Sequence, residues 1–298
     1  MTSLDTIEII QSRRNLANKL LESCSLCPRQ CGVNRLNGET GFCGMGADLV
    51  VSSDNLHHGE EPPISGSCGS GAIFLTGCNL GCIFCQNYPI SHLGHGNVMG
   101  PPQLARRMLR LQERGAHNIN FVTPTHFAPQ IMEALGLAFE AGLDIPIVYN
   151  CGGYESLDML RLWDGIVDIY MPDMKYSDPA AAEQYSSASD YPEANRAAIR
   201  EMHRQVGNLQ LDKDGIAKKG LLIRHLVLPE NIAGTADVLH FIAEDISDQT
   251  YISLMNQYFP AHKAVDMPPM NRRITQIEYE HAKDCLDKVG LRRGWVQE

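Results

Sequence analysis

Six short apolar runs, each followed by a stretch of helical periodicity, govern what residues 71–260 can fold into. The runs are AIFLTG (72–77), INFVTP (119–124), PIVYNC (146–151), VDIYMP (167–172), LLIRHLVLP (221–229) and TYISLMNQYF (250–259). Between and after them lie PPQLARRMLRLQERGA (101–116), FAPQIMEALGLAFEAG (127–142), SLDMLRLWDG (156–165), a long helical region over 178–206, TADVLHFIAEDI (235–246) and the terminal TQIEYEHAKDCLDKVG (275–290). Pro101 is tolerated in a first helical turn, Ser156 reads as an N-cap, and DG within LQLDKDGIAKKG reads as a hairpin. Short apolar strands alternating with helices pair in parallel through right-handed crossovers. Eight such units close a barrel in ~250 residues, so six in a similar length predict an open, partial one. A doubly wound open sheet is the competing architecture. Both put the chemistry at the carboxyl ends of the strands. Those ends carry Cys78, Thr123 to His126, Asn150 to Gly152, Asp173 to Lys175, and Asn256–Gln257.

The region before the first run is different. Residues 5–22 have helical periodicity, and roughly fifty residues rich in Gly, Asn, Ser, Pro and Cys follow without any. Such a segment lacks a core and needs a metal staple to hold a shape. The expected division is therefore 1–65, a helix plus a Cys-rich metal-binding segment, and 66–298, the barrel with its terminal helix.

Ten cysteines sharpen this reading, because seven fall in two groups: Cys24, Cys27, Cys31 and Cys43, then Cys78, Cys82 and Cys85. No secretory leader and no run of ~18–20 apolar residues is visible, so a cytoplasmic protein is expected, in which clustered thiols serve as metal ligands rather than disulfides. The net charge of -10 argues against nucleic-acid and membrane partners.

The second group sits in GCNLGCIFCQNYPIS (77–91) and stops at three thiols. A four-iron cubane takes one external ligand per iron, so three cysteines leave one iron open for chemistry. The alternative is a zinc site completed by a distant residue such as His92 or Cys68. The loop follows a strand that opens the βα series, and Phe84 stands where a ring can shield a cluster. This stretch resembles the CxxxCxxC loop of the radical S-adenosylmethionine (SAM) enzymes, and FCQNYPIS is similar to the pyruvate formate-lyase activating-enzyme-like branch.

The resemblance implies an α/β fold, a partial (β/α)6 TIM-type barrel, holding a [4Fe-4S] cluster on Cys78, Cys82 and Cys85 with SAM on the fourth iron. Reductive cleavage of SAM would yield methionine and a 5′-deoxyadenosyl radical that abstracts hydrogen from a substrate. Asp173 and Lys175, in MPDMK, match a DxK run that contacts SAM in the activating enzymes. Asn150 and Arg224 are polar residues on apolar strands, each either a ligand contact or a satisfied core group. Many relatives carry a GGE-type run after strand two for the SAM amino group; here TPTHF stands instead, leaving Thr123 and Thr125 as cofactor-binding candidates through their backbone, while His126 either faces substrate or is a helix-capping or exposed histidine.

The first cysteine group, in CSLCPRQCGVNRLNGETGFC, supplies four thiols, a closed set suited to zinc or a second iron–sulfur cluster. Cys151 and Cys68 could handle substrate or simply be buried; Cys285 reads as packing. Two enzymatic uses of the radical follow, installing a glycyl radical on a protein or acting on another small molecule or peptide, and both need an electron donor such as flavodoxin or ferredoxin. A non-catalytic iron–sulfur or zinc protein is the reading from another class.

Overall fold

The computed structural model describes residues 3–297. In chain order the strands are β1 (Val50–His57), β2 (Ser70–Leu75), β3 (Asn97–Val98), β4 (Ile119–Val122), β5 (Ile147–Cys151), β6 (Ile169–Pro172), β7 (Gln210–Leu211), β8 (Ala217–Leu226), β9 (Tyr251–Met255) and β10 (Gly294–Val296). The helices are α1 (Ser3–Lys19), α2 (Pro62–Ser65), α3 (Tyr88–Ser91), α4 (Pro101–Glu113), α5 (Ala128–Glu140), α6 (Leu157–Trp163), α7 (Pro179–Ser186), α8 (Tyr191–Val206), α9 (Thr235–Phe241) and α10 (Gln276–Val289). Among the described residues no helix is long and apolar enough to cross a membrane.

The strands form one open sheet in the order β10-β9-β8-β6-β5-β4-β2-β1-β3, with β7 paired to β8 as a hairpin. β2, β4, β5, β6, β8 and β9 are the six expected strands, and each pairs in parallel with the next. They are apolar on both faces because helices cover one face and the barrel interior the other. Ile147, Tyr149 and Cys151 belong to the outer layer with α4, α5 and α6. Their alternate, Val148, packs with Ile169, Met171 and Leu222 on the concave face. Ile64 of α2 joins that inner cluster and stoppers the barrel.

The structure departs from the sequence reading in several places. The segment expected to be loop-rich contains β1, which pairs antiparallel with β2 and β3. TYISLMNQYF is not the last strand, since β10 adds in parallel beyond it. The helical region over 178–206 is broken at Ser187, whose φ of 48° ends α7. Ser156 stands at the N-cap of α6 but makes no side-chain cap bond, whereas Thr275 and Glu278 close a capping box on α10. The amino-terminal segment shares the main core: Ile10, Ala17, Leu21, Cys24 and Leu26 pack with the helix layer.

Candidate active site at the strand carboxyl ends

The ends of β2, β4, β5, β6, β8 and β9 converge on a cavity of about 230 Å³. Cys78, Cys82 and Cys85 line it, with Thr123, Asn150, Asp173, Lys175 and Arg224. Strands reach the cavity in register because parallel pairing brings equivalent ends together: Val122 pairs with Asn150, and Asn150 with Met171. Phe84 and Leu80 supply apolar wall, and Cys151 also lines the space.

Every thiol of the loop has a donor or hydroxyl partner. Leu80 N–H donates to Cys78 Sγ at 3.4 Å, Ser186 Oγ to Cys82 Sγ at 3.1 Å, and Ser91 Oγ lies 3.1 Å from Cys85 Sγ. Burial pushes the Cys82 thiol up to about 12, with Lys175 pulling it back, and burial also raises Cys78. Thiols so placed ionise when a metal supplies the compensating charge. Among the described residues no three His, Cys, Asp or Glu side chains converge closely enough to hold a single metal ion. A lone zinc needs such convergence; a cubane takes one thiolate per iron and needs them spread around it. The donor set therefore fits the cluster better than zinc.

The charged wall is a network. Asp173 accepts from Lys175 Nζ at 2.6 Å and from Arg224 Nε at 2.8 Å. Arg224 Nη2 donates to Asn150 Oδ1 at 2.7 Å, and Nη1 reaches Glu60 Oε2 at 3.5 Å. Burial alone would raise the Asp173 carboxyl, but Arg224 and Lys175 outweigh it and hold it below the usual carboxylate range. Burial would likewise lower Lys175; Asp173 reverses this and keeps the ammonium charged. The backbone of this motif is fixed from α8. Tyr191 Oη shares its one proton between Gly152 O and Asp173 O and accepts from Lys175 N–H, while Asn195 Nδ2 donates to Gly153 O and Asp173 O.

Several expected residues lie elsewhere. Thr125 is buried away from the cavity, and its Oγ1 donates to Glu155 Oε1 at 2.7 Å. Thr123 does reach the cavity, with a φ of 63° that turns the chain at the end of β4. His126 is neither at the cavity nor exposed; it is 2% accessible, its Nε2 bonds Thr76 O, and burial lowers it to about 4. Cys68 is exposed beside His117, at the start of β2 and so at the far end of the strand from Cys78, whereas His92 lines the cavity. Cys285 is buried on α10. Sequence reasoning missed Glu60, Ser186, Tyr191 and Glu155. Glu60 and Ser186 carried no signal, because a loop and a helix end fold back to bring them to the site; Tyr191, on a helix that follows the DMK run, was the most accessible to inference.

The amino-terminal thiols also lie near one another. Cys27 is pushed up to about 12, chiefly by burial, with Glu155, Cys43 and Cys24 adding to it. Cys43 is raised by burial and by Cys24 and Cys31.

Comparisons with known proteins agree with this geometry. The family model of the radical SAM superfamily matches residues 72–241. The uncharacterized protein MJ0674 of Methanocaldococcus jannaschii is 29% identical over 293 residues, covering 95% of this chain and 80% of that protein. The uncharacterized protein MJ0808 of the same organism is 23% identical over 92% of this chain and 80% of that protein. A crystal structure of a radical SAM methyltransferase from Sphaerobacter thermophilus superposes with a TM-score of 0.51 at 14% identity, over 76% of this chain and 66% of that one, a likeness of fold. With most of the barrel matched by the family model, the chain belongs to the radical SAM superfamily.

Proposed function

We propose that Cys78, Cys82 and Cys85 hold a [4Fe-4S] cluster, that Asp173, Lys175, Asn150 and Arg224 with the Thr123 backbone hold SAM beside it, and that the chain is an enzyme abstracting hydrogen from a substrate. When bound, the cluster and SAM supply one-electron cleavage of a sulfonium C–S bond, giving methionine and a 5′-deoxyadenosyl radical. The single observation that carries this is the meeting of three thiols from one loop with the Asp173–Lys175–Arg224 network on one cavity wall.

The chain's own residues do the positioning. The Asp173 carboxylate has its two oxygens turned toward two cations, so it stays ionised and accepts from ribose hydroxyls. Lys175 and Arg224 offer charge to the methionyl carboxylate. Leu80 and Phe84 exclude water from the thiols, and Gln86, Asn87, His92 and Gln257 face the substrate. The FCQNYPIS continuation supports the pyruvate formate-lyase activating-enzyme-like branch. Cys24, Cys27, Cys31 and Cys43 we assign to a second metal site, supported by their mutual electrostatic influence; by the convergence argument applied to the barrel thiols, an iron–sulfur cluster suits them better than a lone zinc.

The test is anaerobic reconstitution with iron and sulfide, then SAM and a strong reductant. The expected products are 5′-deoxyadenosine and methionine. Cys82→Ala should abolish both while the thermal unfolding curve is kept. Full cleavage by that variant would overturn the assignment.

A further inference from the structure

We propose that Arg29 is a positioning residue that braces the Cys78–Cys85 loop from outside the cavity and couples its order to the amino-terminal thiol segment. The proposal rests on the reading of that loop as the cluster site. Arg29 lies between Cys27 and Cys31, outside both thiol sets. Its Nε donates to Asn79 O at 3.0 Å and its Nη2 to Leu80 O at 3.1 Å and Ser186 O at 2.9 Å, while Nη1 reaches Ser187 O. Asn79 and Leu80 sit between Cys78 and Cys82. Ser186 is the residue whose hydroxyl donates to Cys82 Sγ. One guanidinium thus ties together the loop and the hydroxyl partner of its middle thiol.

Arginine suits this task because its planar fork presents five donors and no acceptor. The carbonyls of Asn79, Leu80, Ser186 and Ser187 lie in a turn and at a helix end, where backbone groups lack regular partners. The fork is itself held from the amino-terminal side by Phe42, whose ring centroid lies 3.7 Å from the guanidinium carbon, and from the barrel by Tyr154, whose centroid lies at 5.3 Å. Two glycines show how closely the segments meet. A Cβ on Gly77 would come within 2.5 Å of Met45 Cγ and 2.8 Å of Cys43 O, and one on Gly81 within 2.9 Å of the Phe42 ring.

The experiment uses the full, metal-free chain and limited iodoacetamide alkylation read by mass spectrometry. Cys82 and Cys285 are equally shielded, each 7% exposed, yet only Cys82 lies beside the brace. Arg29→Ala should speed alkylation of Cys82 at least about tenfold, the local opening expected when charged-donor hydrogen bonds are lost, and leave Cys285 unchanged. Arg29→Lys, which keeps the charge without the fork, should fall between. An unchanged Cys82 rate, or equal acceleration at Cys285, overturns the brace. In reconstituted protein Arg29→Ala should also shift the cluster midpoint potential, because the Ser186 hydroxyl moves relative to Cys82; a wild-type potential counts against it. Since alkylation requires no cluster, a wild-type chain that fails to assemble one would refute the proposed function and still leave the brace decided by its thiol rates.

Discussion

Arg224 Nε donates to Asp173 Oδ1 at 2.8 Å, joining the ends of two neighbouring parallel strands across the floor of the cavity. Lys175 occupies the other oxygen, so the carboxylate is doubly compensated and largely buried. Removing the negative partner strands Lys175 and leaves Arg224 with the longer 3.5 Å contact to Glu60. Asp173→Asn should therefore cost about 3–5 kcal/mol at neutral pH, measured by urea unfolding, and weaken SAM binding in parallel. The folded pKa lies below the unfolded one, so this stabilisation is complete above about pH 4 and fades as pH falls through the folded value. Wild type and variant should converge in that acid range. A gap that stays constant there would assign the loss to packing instead.

Ser186 offers a test of how the protein tunes the thiols. Its hydroxyl donates to Cys82 Sγ and in turn lies 2.8 Å from Tyr176 Oη. With the proposed cluster on Cys82, a hydrogen bond to that sulfur favours the reduced, more negative state. Ser186→Ala should lower the midpoint potential in an EPR-monitored redox titration and slow SAM cleavage with a weak reductant. Ser186→Thr, which retains the hydroxyl, should restore both. Equal potentials in all three proteins would remove Ser186 from the tuning set.

The six parallel strands could be read from the chain because their burial on both faces demands continuous apolar runs, as in PIVYNC and VDIYMP. The position of the cavity followed, since parallel strands deliver their ends to one place and the polar residues there were conspicuous. What escaped was set by tertiary contact. β1, VVSSDNLH, carries no alternation and is a strand because β2 offers an edge to it. Glu60, in the loop after β1, reads as a solvated charge, yet it ends beside Arg224 and Asn120 inside the barrel. Ser186 reads as mid-helix, and its role appears only because Ser187 breaks the helix there.

Gly153 separates backbone strain from site damage. Its φ is 73°, and an added Cβ would run into Asp173 O and the Asn195 side chain. Gly142 has a φ of 96° with open space around it. Gly142→Ala should cost about 1 kcal/mol, the left-handed penalty alone, and leave SAM binding untouched. Gly153→Ala should cost more than about 2 kcal/mol, because the Asp173 carbonyl that Tyr191 and Asn195 hold must move. It should also weaken SAM binding, by isothermal titration of reconstituted protein. Equal effects from the two substitutions would sink the claim that this carbonyl is held in place for the site.

Glu155 gives the opposite pH signature from Asp173. It is 2% exposed, accepts from Thr125 Oγ1 at 2.7 Å and Tyr149 Oη at 3.0 Å, and has no cation beside it. Burial raises it to about 7, with the hydrogen bonds from Thr125, Tyr149 and Cys151 holding it from going higher. A carboxyl whose folded pKa exceeds its unfolded value binds its proton more tightly when folded, so stability is lost as pH rises from about 4.3 toward 7. The loss is about 4 kcal/mol across that interval. Glu155→Gln removes the titration and keeps an acceptor for Thr125 or Tyr149. Relative to wild type, the variant should therefore gain stability between pH 5 and pH 8 in urea melts of the metal-free chain. If the difference between the two proteins does not change with pH, Glu155 is ionised in the folded state, and the three donors around it outweigh its burial.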